Sequence, residues 1–228
     1  MAIRATLRRY HVWLGWLVGI PMLLWTVSGL MMVVKPIEEV RGTDLIKPLA
    51  PVVSTADLVM PNVDGRSIQS LRLETRAEGP RWVIEFGEGG SRLIDARSGT
   101  LLPMLGASDA AREVIARYTG DATVVTIKRI DHDRPPLELR RAADAWQVGM
   151  SDSTHFYVDA GNGDIIAKRT HWWRVYDFFW GLHIMDLQGR EETSNPWVVT
   201  FGLLAMVMAL LAIVLLPLTG RPKRSNNR

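Results

Sequence analysis

Two of the five histidines stand where an imidazole could hold an iron. His11 opens one long apolar run, and His183 lies in an aromatic stretch that leads into a second. Neutral imidazole is an axial ligand of haem iron, so a b-type haem is the cofactor that these two positions would serve. Each also has a plainer role. His11 beside Tyr10 and Trp13 reads as an interfacial anchor, and His183 as a polar group at headgroup depth or a partner for Asp177 or Asp186. If both runs cross a bilayer, His11 and His183 lie on opposite faces, about 30 Å apart, and one iron cannot take both. His171 and His183 are twelve residues apart, about 18 Å on a straight helix, and cannot clamp one iron either. A bis-histidine haem then needs a second chain, with His11 facing its own symmetry mate.

Other chemistry is sparser. Asp131-His132-Asp133 offers metal-capable groups, but neighbours in a Pro-terminated loop seldom converge on one ion. Asp159, Asn162 and Asp164 have the spacing of a calcium loop, yet they match Asp95, Ser98 and Thr100 in a second copy, which favours turn chemistry. There is no cysteine, which excludes a disulfide scaffold, an iron–sulfur cluster and a thiol nucleophile. There is no H-E-x-x-H, no G-x-S-x-G and no Gly-Lys phosphate loop, and no nucleophile–base pair is visible. With no catalytic set, the expectation leans away from an enzyme.

The elements that would position these residues are set by apolar runs. Val12 to Val34 and Trp197 to Gly220 contain no charged residue. Each is long enough, at roughly 34 Å as helix, to cross a hydrocarbon core of about 30 Å. Arg4, Arg8 and Arg9 precede the first run and Arg221, Lys223, Arg224 and Arg228 follow the second, with no acid at either end. The segment between carries all 24 acids and is net negative, although the whole chain is +3. Positive flanks stay in the cytoplasm, so both termini are expected there and the centre outside it, at a bacterial inner membrane. The mildly acidic centre argues against a nucleic-acid binder. The first run is too long for a cleaved signal peptide, and no A-x-A site follows it.

These signals give expected boundaries: a cytoplasmic N-terminus over 1–11, a first span over 12–34, an extracytoplasmic α+β domain over 35–170, an interfacial amphipathic segment over 171–193, a second span over 194–220 and a cytoplasmic tail over 221–228. Gly15 and Gly19 form a small-xxx-small pair, suited to packing on the second span or to a homodimer contact. Ser194-Asn195-Pro196 reads as the cap of the second span. Neither span carries an ionisable group at mid-depth, which disfavours an ion or proton pathway.

The central segment repeats itself at an offset of 64. RWVIEFGEGGSRLIDARSGTLL from Arg81 matches AWQVGMSDSTHFYVDAGNGDII from Ala145, pairing Trp82 with Trp146, Asp95-Ala96 with Asp159-Ala160, and Gly99 with Gly163. Alternating apolar residues predict strands: Trp82, Ile84 and Phe86 in one copy, Trp146, Val148 and Met150 in the other. Each copy then turns at its glycine into a short return strand, Thr100–Leu102 or Asp164–Ile166. A helix is expected before the second copy, capped by Ser108, lined by Ala111, Val114, Ile115 and Tyr118 and ended by Gly120. Before the first copy only a stub is expected, Ser54 to Met60. Asp131 to Pro136 reads as a loop inserted in the second unit. The fold class is therefore α+β, two helix-plus-antiparallel-sheet units flanked by two transmembrane helices.

The hairpin ends LIDARSGTLL and YVDAGNGDII resemble the PepSY domain. RRYHVWLGWLVGIPMLLWTVSGLM resembles the PepSY-associated transmembrane helix, and WWRVYDFFWGLHIMDLQGREETSN resembles the Trp/Phe-rich segment that precedes a later span in that family. Together these cover nearly the whole chain. Soluble PepSY modules are associated with inhibition or regulation of secreted peptidases. Longer membrane relatives, usually with four spans, include iron-regulated proteins and haem-carrying ferric-siderophore reductases. With this resemblance, sheet edges available for docking and no catalytic set, the expectation is a membrane-anchored, non-enzymatic protein that binds and tunes an envelope partner, a peptidase or an iron-uptake component. The alternative is a haem-binding electron-transfer subunit using His11 and His183; the two spans found here, instead of four, are a departure from the reductase pattern.

Overall fold

The structure, a computed structural model, describes residues 2–51, 56–63 and 65–218. It separates into a helical unit, residues 1–35 with 175–228, and a sheet unit, residues 36–174.

In the helical unit, α1 (Ala2–Met32) runs through Pro21 without interruption, and α5 (Pro196–Leu218) packs beside it. The apolar windows of these helices are only 11% and 6% buried, so their side chains point outward, as lipid-facing helices do. Asn195 caps α5: its Oδ1 accepts the N–H of Trp197 at 3.0 Å and Val198 at 3.1 Å, while its Nδ2 donates to the Ile184 and Glu192 carbonyls at 2.7 and 2.9 Å. Among the described residues, Gly15 and Gly19 have no neighbouring atom within 4 Å of where a Cβ would sit. Packing of this glycine pair on α5 is therefore not what brings the two helices together, and that face of α1 is open. The basic residues at 221–228 lie outside the described residues.

In the sheet unit, a short α2 (Ile37–Arg41) precedes two antiparallel sheets. The first has the order β1 (Ile68–Arg76), β2 (Gly79–Phe86), β3 (Ser91–Asp95). The second has the order β4 (Val124–Ile130), β5 (Ala145–Met150), β6 (His155–Asp159), β7 (Ile165–Arg169). Between them lies α3 (Ala107–Arg117), and α4 (His171–His183) follows β7.

The repeat holds down to individual hydrogen bonds. Asp95 Oδ1 accepts the N–H of Arg97 (2.9 Å) and Ser98 (3.0 Å), and Asp159 Oδ1 accepts those of Gly161 (2.8 Å) and Asn162 (3.0 Å). The Trp82 indole donates to the Val59 carbonyl at 2.8 Å, and the Trp146 indole to that of Leu105 at 2.7 Å. The Val59 and Leu105 N–H groups in turn donate to the Ala96 and Ala160 carbonyls, both at 2.8 Å. Gly99 and Gly163 have φ of +71° and +73°, a conformation that a Cβ makes costly. Gly163→Ala should lower the stability of the sheet unit by about 1–2 kcal/mol, and Gly163→Asn by less, because asparagine tolerates this region. Thermal unfolding of the full chain in detergent, followed by tryptophan fluorescence, measures both.

The copies differ in their covers. Val59 and Leu105 are equivalent anchors, but only the second is followed by a helix. α3 starts earlier than Ser108: Gly106 is the N-cap, and its N–H is held by Asp109 Oδ2 at 2.8 Å. Ala110 and Val114 form its buried face, whereas Ile115 is exposed, because the helix is rotated from the expected stripe. It ends at Tyr118, whose backbone turns extended. Among the described residues of the expected stub there is no helix. Ala56 to Met60 is turn and irregular chain, and Ser54 and Thr55 lie outside the described residues. In the first copy the return segment makes only a Leu101 bridge to Ile94, where the second builds β7.

One apolar cluster explains why a single helix suffices. Ala110 and Val114 of α3 pack with Val83 and Leu93 of the first sheet and with Val148, Met150, Phe156 and Val158 of the second. The opposite face of the first sheet, Ile84, Phe86 and Ile94 with Trp82, is closed by Val63 and Leu71. The opposite face of the second sheet lies against the chain between β4 and β5, through Leu139 on Tyr157 and Ala167. β1, β3, β4 and β7 are sheet edges. On β4, Val125 and Ile127 are exposed.

Candidate functional site

Two polar constellations stand out, one in each unit. In the helical unit α4 ends at His183, whose ring stacks on Trp25 with centroids 4.5 Å apart. Its Nδ1 lies 3.0 Å from Ser28 Oγ and 3.2 Å from the Trp25 carbonyl. Ser28 is itself fully buried and donates to that same carbonyl at 2.8 Å. Gly29 makes the approach feasible, since a Cβ there would stand 3.2 Å from His183 Cε1. His183 is thus docked on the Trp25–Gly29 turn of α1. Neither Asp177 nor Asp186 is its partner, contrary to the plainer expectation. Asp177 pairs with Arg190 at 2.6 Å, and Asp186 accepts the N–H groups of Gly189, Glu191 and Glu192, which hold its carboxyl below the ordinary range.

His11 lies 17 residues before Ser28 on the same unbroken helix, about 26 Å away. The two candidate ligands are therefore not brought together, and within one chain they do not fit one haem. Each keeps a feature that suits a ligand when taken alone. His11 Nδ1 is shielded from solvent and has no hydrogen-bond partner among the described residues. His183 has one ring nitrogen engaged by backbone and hydroxyl, the kind of contact that orients a metal-bound imidazole.

In the sheet unit the chemistry gathers around Glu138, in the chain between β4 and β5, which sequence reasoning missed. Its Oε1 accepts the Tyr157 hydroxyl at 2.6 Å and lies 2.6 Å from His155 Nδ1; its Oε2 accepts Arg174 Nε at 3.0 Å. Gln147 Nε2 donates to the Tyr157 oxygen at 2.6 Å, and Arg174 Nη1 to the Ser153 carbonyl at 2.7 Å. Arg169 Nε donates to the Glu138 carbonyl. Burial alone would raise the Glu138 pKa, but the bonds from His155 and Tyr157 and the charge of Arg174 outweigh it and hold the carboxyl below the ordinary range. Burial, with the carboxylate beside it, drives the Tyr157 phenol far upward. The pattern is that of a charge-neutralised clamp between loop, sheet and the start of α4. One faint signal was available: Gln147 pairs with Tyr157 on the face where the first copy has Val83 and Leu93.

The remaining candidates resolve into structure. Asp159, Asn162 and Asp164 form the turn already described, with Asp164 turned to Arg76 at 2.5 Å. Among the described residues no three His, Cys, Asp or Glu side chains come close enough together to hold a metal ion, so Asp131, His132 and Asp133 do not converge.

A family model for the PepSY-associated transmembrane region matches residues 8–228. The chain belongs to the PepSY-associated transmembrane family. No curated relative and no solved structure matches it significantly. Its family, with its two long outward-facing apolar helices, makes this PepSY protein membrane-associated. Its α+β sheet unit, which follows α1 and precedes α5 in the chain, carries the duplicated hairpin.

Proposed function

We propose that this PepSY protein is a non-enzymatic anchor and adaptor, held in the bacterial inner membrane by α1 and α5 with both termini cytoplasmic. Its sheet unit then lies in the periplasm, where it binds and tunes an envelope partner, a peptidase or an iron-uptake component. The orientation rests on Arg4, Arg8 and Arg9 before α1 and the basic tail after α5. The amphipathic segment 171–193, which includes α4, then lies at the periplasmic interface.

The observation that carries partner binding is β4. It is an edge strand whose outer side has no neighbour in its sheet, and it exposes Val125 and Ile127 there. An extended segment of a partner can add to such an edge, gaining main-chain hydrogen bonds along with the two apolar side chains. In-cell crosslinking of the full-length protein should recover one specific envelope protein. Val125→Lys/Ile127→Lys, which replaces the two exposed apolar side chains of the edge, should cut that recovery at least tenfold while the protein stays in the membrane. Recovery no greater than that of an unrelated two-span control would count against the adaptor reading. A reporter at residue 120 active only in the cytoplasm would overturn the orientation.

A second reading, a haem-binding electron-transfer subunit, is favoured by the unpartnered His11 Nδ1 and by the open Gly15/Gly19 face, across which a second copy could bring a second His11. Haem would supply one-electron transfer; this chain would supply the imidazole and the close helix approach. The purified protein, expressed with ample haem, would then show a Soret band that His11→Ala abolishes. No Soret band leaves the adaptor reading alone.

A further inference from the structure

The two repeats meet where the tip of β2–β3 approaches the turn after β6. Gly161 marks the contact, since a Cβ there would fall 2.8 Å from the Ser91 carbonyl oxygen. Beside that junction opens a polar cavity of about 540 Å³, walled by both repeats and by the inserted loop. It belongs to neither the Glu138 clamp nor the histidines of the helical unit.

Four carboxylates line it, and each is already engaged. Glu85 accepts Ser70 Oγ at 2.9 Å and pairs with Arg72 at 3.2 Å. Asp144 pairs with Arg129 at 3.2 Å. Asp159 is occupied by its turn amides at 2.8 and 3.0 Å, and Asp164 by Arg76 at 2.5 Å and Arg72 at 3.4 Å. The donors lining the same cavity are in the opposite condition. Arg92 makes one bond, to the neighbouring Ser91 carbonyl at 2.9 Å. Arg141 and His132 line the cavity with no hydrogen-bond or ionic partner among the described residues. Two arginines and a histidine therefore line a recess whose acids are already taken, three by other arginines and Asp159 by its turn amides.

We propose that this cavity binds a small multivalent oxyanion, held by Arg92, Arg141 and His132. Guanidinium groups pair with carboxylate and phosphate oxygens through two parallel bonds, and two such donors lining one recess favour a ligand with more than one anionic oxygen. The size admits a single small molecule. Polycarboxylates and phosphates share the required chemistry.

The test is calorimetric titration of the full-length protein in neutral detergent with citrate and, separately, with inorganic phosphate, at constant ionic strength so that general screening does not vary. Saturable one-site binding of either is expected, and whichever binds more tightly identifies the source class. Arg92→Gln/Arg141→Gln should weaken it at least tenfold. Arg141→Gln alone, at an exposed side chain whose loss breaks no internal bond, should weaken it at least threefold. Arg97→Gln, in the exposed turn of the first repeat outside the cavity, should leave it within twofold. Absence of saturable binding by both anions overturns the proposal. So does binding that the double variant retains, or that Arg97→Gln weakens as much.

Discussion

Replacing Glu138 by alanine should lower the unfolding free energy of the sheet unit by about 3 kcal/mol, the usual consequence of stranding the partners of a largely buried ion pair. Arg174 would lose the carboxylate at 3.0 Å, and the buried Tyr157 hydroxyl would keep only the Gln147 amide as a neighbour. Glu138→Gln retains an acceptor and should cost roughly half as much. The pH dependence follows from the depressed Glu138 pKa. The unfolded chain takes up its proton at the ordinary glutamate value, whereas the folded chain resists until the pH is lower. The stabilisation is therefore present in full above about pH 4.5 and is lost as the pH falls through the folded pKa. Tyr157 works at the other end: its raised pKa makes a contribution that is complete below about pH 10 and declines as the pH climbs beyond it. Unfolding of wild type and Glu138→Gln, followed by tryptophan fluorescence from pH 3 to 8, should show the acid loss in the wild type and much less of it in the variant. Parallel curves would mean that Glu138 is not the group responsible.

Arg76→Ala should be of similar size, again about 3 kcal/mol, and should separate the two repeats. Arg76 ends β1 with its side chain 1% exposed, within 2.6 Å of Glu74 and 2.5 Å of Asp164. It also donates to the Gly163 carbonyl at 3.0 Å. One guanidinium therefore ties the first sheet to the turn of the second copy. Asp164 is about a third exposed, so the Arg76–Asp164 pair is only part of the effect. A double-mutant cycle with Asp164→Asn should return a coupling of about 1 kcal/mol. Arg76 also opposes the burial that raises the pKa of Glu113, so its removal should push that carboxyl further up. A cycle with no coupling would sink the assignment of Arg76 as the tie.

The duplicated hairpin, unlike these ties, could be read from the chain. Asp-Ala-x-x-Gly turns depend on local demands: a carboxylate that caps two nearby amides, and a glycine at positive φ. Local demands leave a local signature, and so Asp95 and Asp159, Gly99 and Gly163, and Trp82 and Trp146 stood out by spacing alone. Two apolar helices were equally legible, because the length of an uncharged run is itself the physical requirement for crossing lipid. Family membership followed from those same segments.

Only the tertiary structure decided what covers each sheet. Nothing in the chain near Ser54 to Met60 shows that the first repeat needs no helix of its own. The reason lies fifty residues on, where α3 presents Ala110 and Val114 to a cluster that includes residues of both sheets. The place of His183 on Trp25 and Ser28, and the meeting of Glu138 with His155, Tyr157 and Arg174, likewise join residues far apart in sequence. Such contacts are chosen by which surfaces can be buried together. That is a property of the assembled shape, and residue type and spacing do not encode it one segment at a time.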